Sequence, residues 1–143
     1  MVHARRWIPA LLLVTALVLP ACASVGAEEE TLADPATVEE VEGSDVPRLT
    51  LTAEAAERLD IQESTVTDAG SETMVPYAAV FYTADGETWA YANPEPLTYM
   101  RVPIVVDRIN GDRAYLSDGP PSGTEVVTQG LAELYGTETG VEE

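Results

Sequence analysis

The sequence predicts a mostly β domain, a small barrel or sandwich carrying one short helix. Three observations carry that expectation. Turn signals recur at near-regular spacing through the second half of the chain. The segments between them alternate apolar and polar residues or run rich in valine. The clearest helix start signal is Thr52, followed by Glu54 in what would be the first turn.

Taken in order, Arg48-Leu49-Thr50-Leu51 alternates as a strand does. Thr52 is placed to cap a helix running to Leu59, whose apolar face is Ala55, Ala56 and Leu59. Residues 60–67 read as a strand and residues 68–72 as a loop. A strand follows over 75–82. Asp85-Gly86 then marks a hairpin, because glycine accepts φ > 0 and Asp tolerates it. The chain returns over 89–93, and Asn93-Pro94-Glu95-Pro96 breaks the pairing.

Residues 97–109 read as one long strand with Met100, Val102, Ile104 and Val106 on one face. Pro103 on the other face lacks a donor and marks an edge or a bulge. Asn110-Gly111 is the strongest hairpin signal in the chain. Residues 113–117 pair back, residues 118–123 form a loop and residues 125–128 a last strand. Residues 131–135 fit either one helical turn or a final edge strand. Together these elements place the β domain at residues 46–136.

The segments before and after it have a different character. Arg5 and Arg6 precede an apolar run from Ile8 to Leu19, too short to span a bilayer and right for the core of an export signal. Leu19-Pro20-Ala21-Cys22 follows and resembles the lipobox of bacterial lipoproteins, in which the cysteine sulfur takes a diacylglyceryl group and the chain is cut just before it. The resemblance implies a signal peptide over residues 1–21 and lipidation at Cys22. It implies a location on the extracytoplasmic face of the cell membrane, held by lipid. The competing reading is an ordinary secretory signal that leaves a free thiol. Residues 22–45 carry Glu28, Glu29, Glu30, Asp34, Glu39, Glu40, Glu42 and Asp45 without a base or an aromatic. They read as an acidic, disordered tether, and residues 137–143 as a flexible acidic tail.

Several motifs within the β domain resemble the HlyD-like periplasmic adaptor, or membrane fusion, proteins. Val75-Pro76-Tyr77-Ala78-Ala79-Val80 is similar to that family's "iPxxAV" strand, and residues 86–92 to its Gly-x-x-x-Val-aromatic-Val strand. Arg101-Val102-Pro103-Ile104-Val105-Val106 resembles its "xxVxVG" strand. Residues 118–127 resemble its "GLxxGexVV" loop and strand, with Pro120 in place of Leu. Residues 49–61 resemble the family's opening segment ending in "xxGI", with Asp60 at the glycine position. The resemblance implies a membrane-proximal domain alone, because only residues 68–73 stand where adaptors insert a lipoyl domain, a coiled-coil hairpin and a further barrel. It implies an accessory or interaction protein beside an inner-membrane transporter, without the hairpin that reaches an outer-membrane channel.

Composition narrows the chemistry. With 7 Lys+Arg, 25 Asp+Glu and a net charge of −18 over 143 residues, nucleic acid and anionic lipid headgroups are disfavoured partners. The single His is His3 and the single Cys is Cys22. Both fall outside the β domain, which removes Ser-His catalysis and Cys-based zinc sites from it. The expectation is therefore no enzyme and no cofactor, with a carboxylate-based cell-wall hydrolase as the remote alternative.

Three groups invite a ligand reading. Met74 and Met100 are soft-metal ligand types, the basis of an alternative function as a small-molecule or soft-metal binding lipoprotein. Asp85-Gly86-Glu87 and Asn110-Gly111-Asp112 carry oxygen ligands, though hairpin turns account for both. Trp89, Tyr91 and Tyr99 form either a recognition patch or cross-strand packing.

Overall fold

The computed structural model describes residues 34–140. Helix α1 (Ala53–Arg58) starts and stops on local chemistry. Thr52 has extended backbone, and its hydroxyl accepts the Ala55 amide at 3.1 Å, satisfying a donor that the first turn leaves free. At the other end Asp60 N–H donates to Glu57 O and Ile61 N–H to Ala56 O. That pair of bonds is the Schellman pattern, and it puts Asp60 in the left-handed region at φ 49°. The position that resembles a family glycine thus has the backbone a glycine favours.

Among the described residues, eleven strands build two sheets. The larger has the order β1 (Ala36–Glu39), β2 (Arg48–Leu51), β8 (Thr98–Pro103), β7 (Thr88–Glu95), β11 (Glu125–Gln129), β3 (Gln62–Thr65). Strand β6 (Phe81–Tyr82) shares the β7 edge with β11. The smaller sheet runs β4 (Thr67–Asp68), β5 (Thr73–Pro76), β10 (Arg113–Asp118), β9 (Val105–Asn110). Every pairing is antiparallel.

The larger sheet is buried on both faces. Ala90 and Val126 meet Val75, Ala114 and Leu116 of the smaller sheet in one cluster. Their chain neighbours Tyr91 and Val127 point the other way, to pack with Leu49, Leu51, Tyr99, Ala55 of α1 and Leu134 of α2 (Leu131–Thr139). This explains why Trp89-Ala90-Tyr91-Ala92 and Val126-Val127 read as continuous apolar runs, as strands covered on both sides do. The two sheets do not close into a barrel, so of the two expected architectures the layered one holds.

Two strands expected to be continuous are each divided between the sheets. The 60–67 strand splits at Val66, which is 1% exposed, and the 97–109 strand at Ile104, 3% exposed. At the second corner Pro103 ends β8. Ile104 N–H then donates to Thr88 O, and the Thr88 hydroxyl to Ile104 O at 2.7 Å. Strands that cross from one sheet to its neighbour at a bend make the corners of such packings. The expected 75–82 strand is also interrupted, by a 3-10 turn over Tyr77–Ala79. The pairing does not break at Asn93; β7 continues to Glu95 with a register shift after Ala92, and the chain turns at Pro96-Leu97.

The two flanks differ from expectation. Residues 36–39, inside the expected tether, form β1 and pair with β2 in register Ala36↔Leu51 to Glu39↔Arg48. Most of its side chains face solvent, so its hold is the backbone ladder, which leaves no apolar period in the sequence. Residues 131–139 form a nine-residue helix rather than one turn followed by a fraying tail. A second helix thus joins the one expected. Residues 22–33 of the expected tether lie outside the described residues, as do residues 1–21 and 141–143.

Candidate functional site

The expected functional residues scatter. Cys22 lies outside the described residues. Met74 is on β5, paired with Thr67 and Tyr115; Met100 is on β8, paired with Arg48 and Ala92. They belong to different sheets, and the structure does not assemble them into a soft-metal site. Among the described residues no group of three His, Cys, Asp or Glu could hold a metal ion. Asp85-Gly86 and Gly111-Asp112 occupy hairpin turns with Gly86 at φ 88° and Gly111 at φ 62°, as turn chemistry requires. Tyr91 and Tyr99 are core residues, and Trp89 is half-buried.

What the fold assembles instead is centred on Arg101 and Glu138. Glu138 is 4% exposed at its side chain and accepts from Arg101 Nη2 at 2.8 Å and Nε at 3.1 Å through Oε1. Its Oε2 accepts from the Tyr91 hydroxyl at 2.7 Å. Burial pushes the Tyr91 phenol well above its ordinary value, and the neighbouring carboxylate adds to the shift. The Arg101 guanidinium stacks over the Trp89 ring at 4.2 Å and lies 5.5 Å from the Tyr135 ring. Phe81 packs on Tyr135 with centroids 4.9 Å apart. The cluster pins α2 across strands β6, β7 and β8.

Sequence reasoning missed Arg101 and Glu138. A signal was present: Leu131, Leu134, Tyr135 and Glu138 fall at i, i+3, i+4 and i+7, so Glu138 stands on the inward helical face. Gly136, Thr137 and Thr139 obscure it by lowering helix propensity.

Beside this cluster a cleft of about 600 Å³ opens, with Trp89, Arg101 and Tyr135 among its lining and Asp45, Asp85 and Glu87 around them. Asp45 also lines an adjoining hollow with Glu40, Glu42 and Glu138. The Thr83 hydroxyl donates to Asp85 and holds that carboxyl below its usual range. The Trp89 indole nitrogen is buried and has no hydrogen-bond partner among the described residues.

A second surface is the outer edge of β9. This strand ends its sheet, and Val105 and Ile109 are 52% and 46% exposed. With Tyr82, 50% exposed, they line a shallow hollow to which Asp107 and Arg108 also contribute. Tyr77 supports Tyr82 and raises its phenol through their hydrogen-bonding contact. Arg108, held by Glu72 at 2.5 Å and stacked 3.9 Å from the Tyr115 ring, braces the strand from its other face.

No family model, no curated protein and no solved structure matches this chain. No helix among the described residues is long and apolar enough to cross a membrane.

Proposed function

We propose that this chain is a lipid-anchored extracytoplasmic interaction protein, attached to the membrane through Cys22 and serving as an accessory subunit beside an inner-membrane transporter. The observation that carries the reading is the β9 edge. It offers free backbone donors and acceptors together with exposed Val105, Ile109 and Tyr82. An open strand edge with exposed apolar side chains is a natural surface for adding a partner strand, and Asp107 and Arg108 on the same strand guard it against indiscriminate pairing. The leader, ending in Leu19-Pro20-Ala21-Cys22, supports membrane attachment, and the adaptor-like strands support a transporter as the partner. Acyl burial contributes about 0.8 kcal/mol per CH₂, enough with two or more chains to hold the domain in place.

The test is photo-crosslinking in the native cell, with a benzophenone side chain at Ile109 of the full chain. An adduct with an integral membrane protein, absent when the probe is moved to Glu57 on α1, is the expected result. Recovery of only the free monomer from both positions overturns the proposal.

A further inference from the structure

We propose that Asn110 is a self-modification site, at which the Gly111 backbone nitrogen attacks the side-chain amide and, with water as co-reactant, the residue becomes isoaspartate or aspartate. The inference depends neither on the lipid anchor nor on the role proposed for the β9 edge.

The chemistry needs a neutral side-chain amide, a following backbone nitrogen that is free to attack, and room for the main chain to bend into a five-membered ring. Asn110 is exposed and closes the β9–β10 hairpin opposite Arg113. Gly111 follows in the turn at φ 62°. Its N–H has no backbone acceptor among the described residues, and nothing lies within 4 Å of where its side chain would stand. The far side of the turn is tied down, since the Asp112 carbonyl accepts the Tyr77 N–H at 2.7 Å. The near side is not: β9 is the last strand of its sheet, and in the ladder Asn110 is held by Arg113 alone. Opening that terminal pair frees the Asn110–Gly111 peptide while the rest of the hairpin stays paired.

In the first step the Gly111 nitrogen gives up its proton to solvent and bonds to Asn110 Cγ. The Cγ–Nδ2 bond breaks, and the amide nitrogen leaves as ammonia. Water then opens the resulting succinimide. Addition at Cγ gives aspartate, and addition at the main-chain carbonyl gives isoaspartate, whose backbone runs through the side-chain carbon. In sum, one amide and one water become a carboxylate and an ammonium ion. The new carboxylate stands across the ladder from Arg113, and isoaspartate lengthens the main chain there and shifts that pairing.

The fold and the sequence block the comparable dipeptides. Asn93 precedes Pro94, which has no N–H to give up. Gly86 donates its N–H to Thr83 O at 2.9 Å, and the Thr83 hydroxyl holds the Asp85 carboxyl below its usual range. A carboxylate must regain a proton before it can lose water. At Asp118-Gly119 the backbone is packed, with Leu116 Cδ1 3.1 Å and Ile104 Cγ2 3.2 Å from a Cβ placed on Gly119.

The experiment incubates the detergent-solubilised full chain at mildly alkaline pH, folded and in parallel in urea, and then digests both with trypsin. Cleavage after Arg108 and Arg113 releases the Ile109–Arg113 peptide, whose one side-chain amide is Asn110. Mass spectrometry reads the exchange of NH₂ for OH, and electron-transfer fragmentation separates isoaspartate from aspartate. Both products are expected, at a folded rate within about tenfold of the unfolded one, as opening of a terminal pair allows. Asn93 is expected to stay intact, and Asn110→Gln, verified as folded by circular dichroism, to abolish both products. A folded rate lower by more than about tenfold shows that the ladder holds Asn110 and overturns the site. Aspartate without isoaspartate shows direct hydrolysis and overturns the attack by Gly111. Conversion of Asn93 as fast as Asn110 overturns the selectivity.

Discussion

Replacing Glu138 by Ala removes the acceptor of three hydrogen bonds at once. It leaves the Arg101 side chain, 15% exposed, and the buried Tyr91 hydroxyl without partners. Breaking a buried ion pair from one side costs about 3 kcal/mol or more, because the remaining charge stays desolvated. A domain near this size loses about 4 °C of midpoint per kcal/mol, so Glu138→Ala should melt about 12 °C lower. Urea unfolding followed by circular dichroism measures the free energy directly. Tyr91→Phe should cost less, about 1.5 kcal/mol, since it removes one bond to a charged acceptor. The pair of variants made together should couple, because both lose the same contact. Changing both ends of the ion pair, Arg101→Met with Glu138→Met, should recover most of the loss, as apolar replacement of a buried pair is often near neutral. A loss below about 1 kcal/mol for Glu138→Ala would place the contact with exposed surface pairs. It would refute the idea that the last turn of α2 is locked by it.

Four further outcomes follow from named contacts. Asp60→Gly should stay within about 0.5 kcal/mol of the parent, exchanging the side-chain bonds to Gln62 and Gln129 for an unstrained φ, whereas Asp60→Val should lose about 1–2 kcal/mol in the same denaturant assay. Gly130→Ala should destabilise by about 2 kcal/mol, because the backbone there has φ 93° and the new Cβ would stand 2.2 Å from Ile61 Cδ1. Tyr91 is shifted upward and Tyr99 is pushed up to about 12, burial being the main cause in both. Because the folded state holds these protons more tightly, their contribution is fully present below pH 10 and falls as pH rises, by up to about 1.4 kcal/mol per pH unit for each phenol; Tyr99→Phe should flatten an alkaline denaturation series that otherwise declines from pH 10 to 12. Cys22→Ser should leave the membrane fraction or remain uncut, and mass spectrometry of the parent N-terminus should find acyl groups on Cys22; an unmodified thiol there contradicts the anchor.

Features encoded by neighbouring residues were legible in the sequence. The Thr52 cap, the Asp85-Gly86 and Asn110-Gly111 hairpins, the β2 alternation and the mostly β class each depend on residues a few positions apart, whose backbone preferences act wherever the chain is placed. Tertiary structure decided what depends on distant partners. Whether residues 97–109 make one strand or two turns on Ile104, whose amide and carbonyl are taken by Thr88 sixteen residues earlier. β1 exists because β2 offers it a ladder, and ladder bonds ignore side-chain identity. The end of α2 is ordered against its own propensity because Glu138 reaches Arg101 and Tyr91, 37 and 47 residues away in the chain. The cleft beside Arg101 and its adjoining hollow likewise join residues 40–47 to the β6–β7 turn and to Tyr135, three segments with no shared pattern. Local preference acts over a turn or two of chain, whereas burial and charge pairing act through space, so only the folded chain brings such residues together.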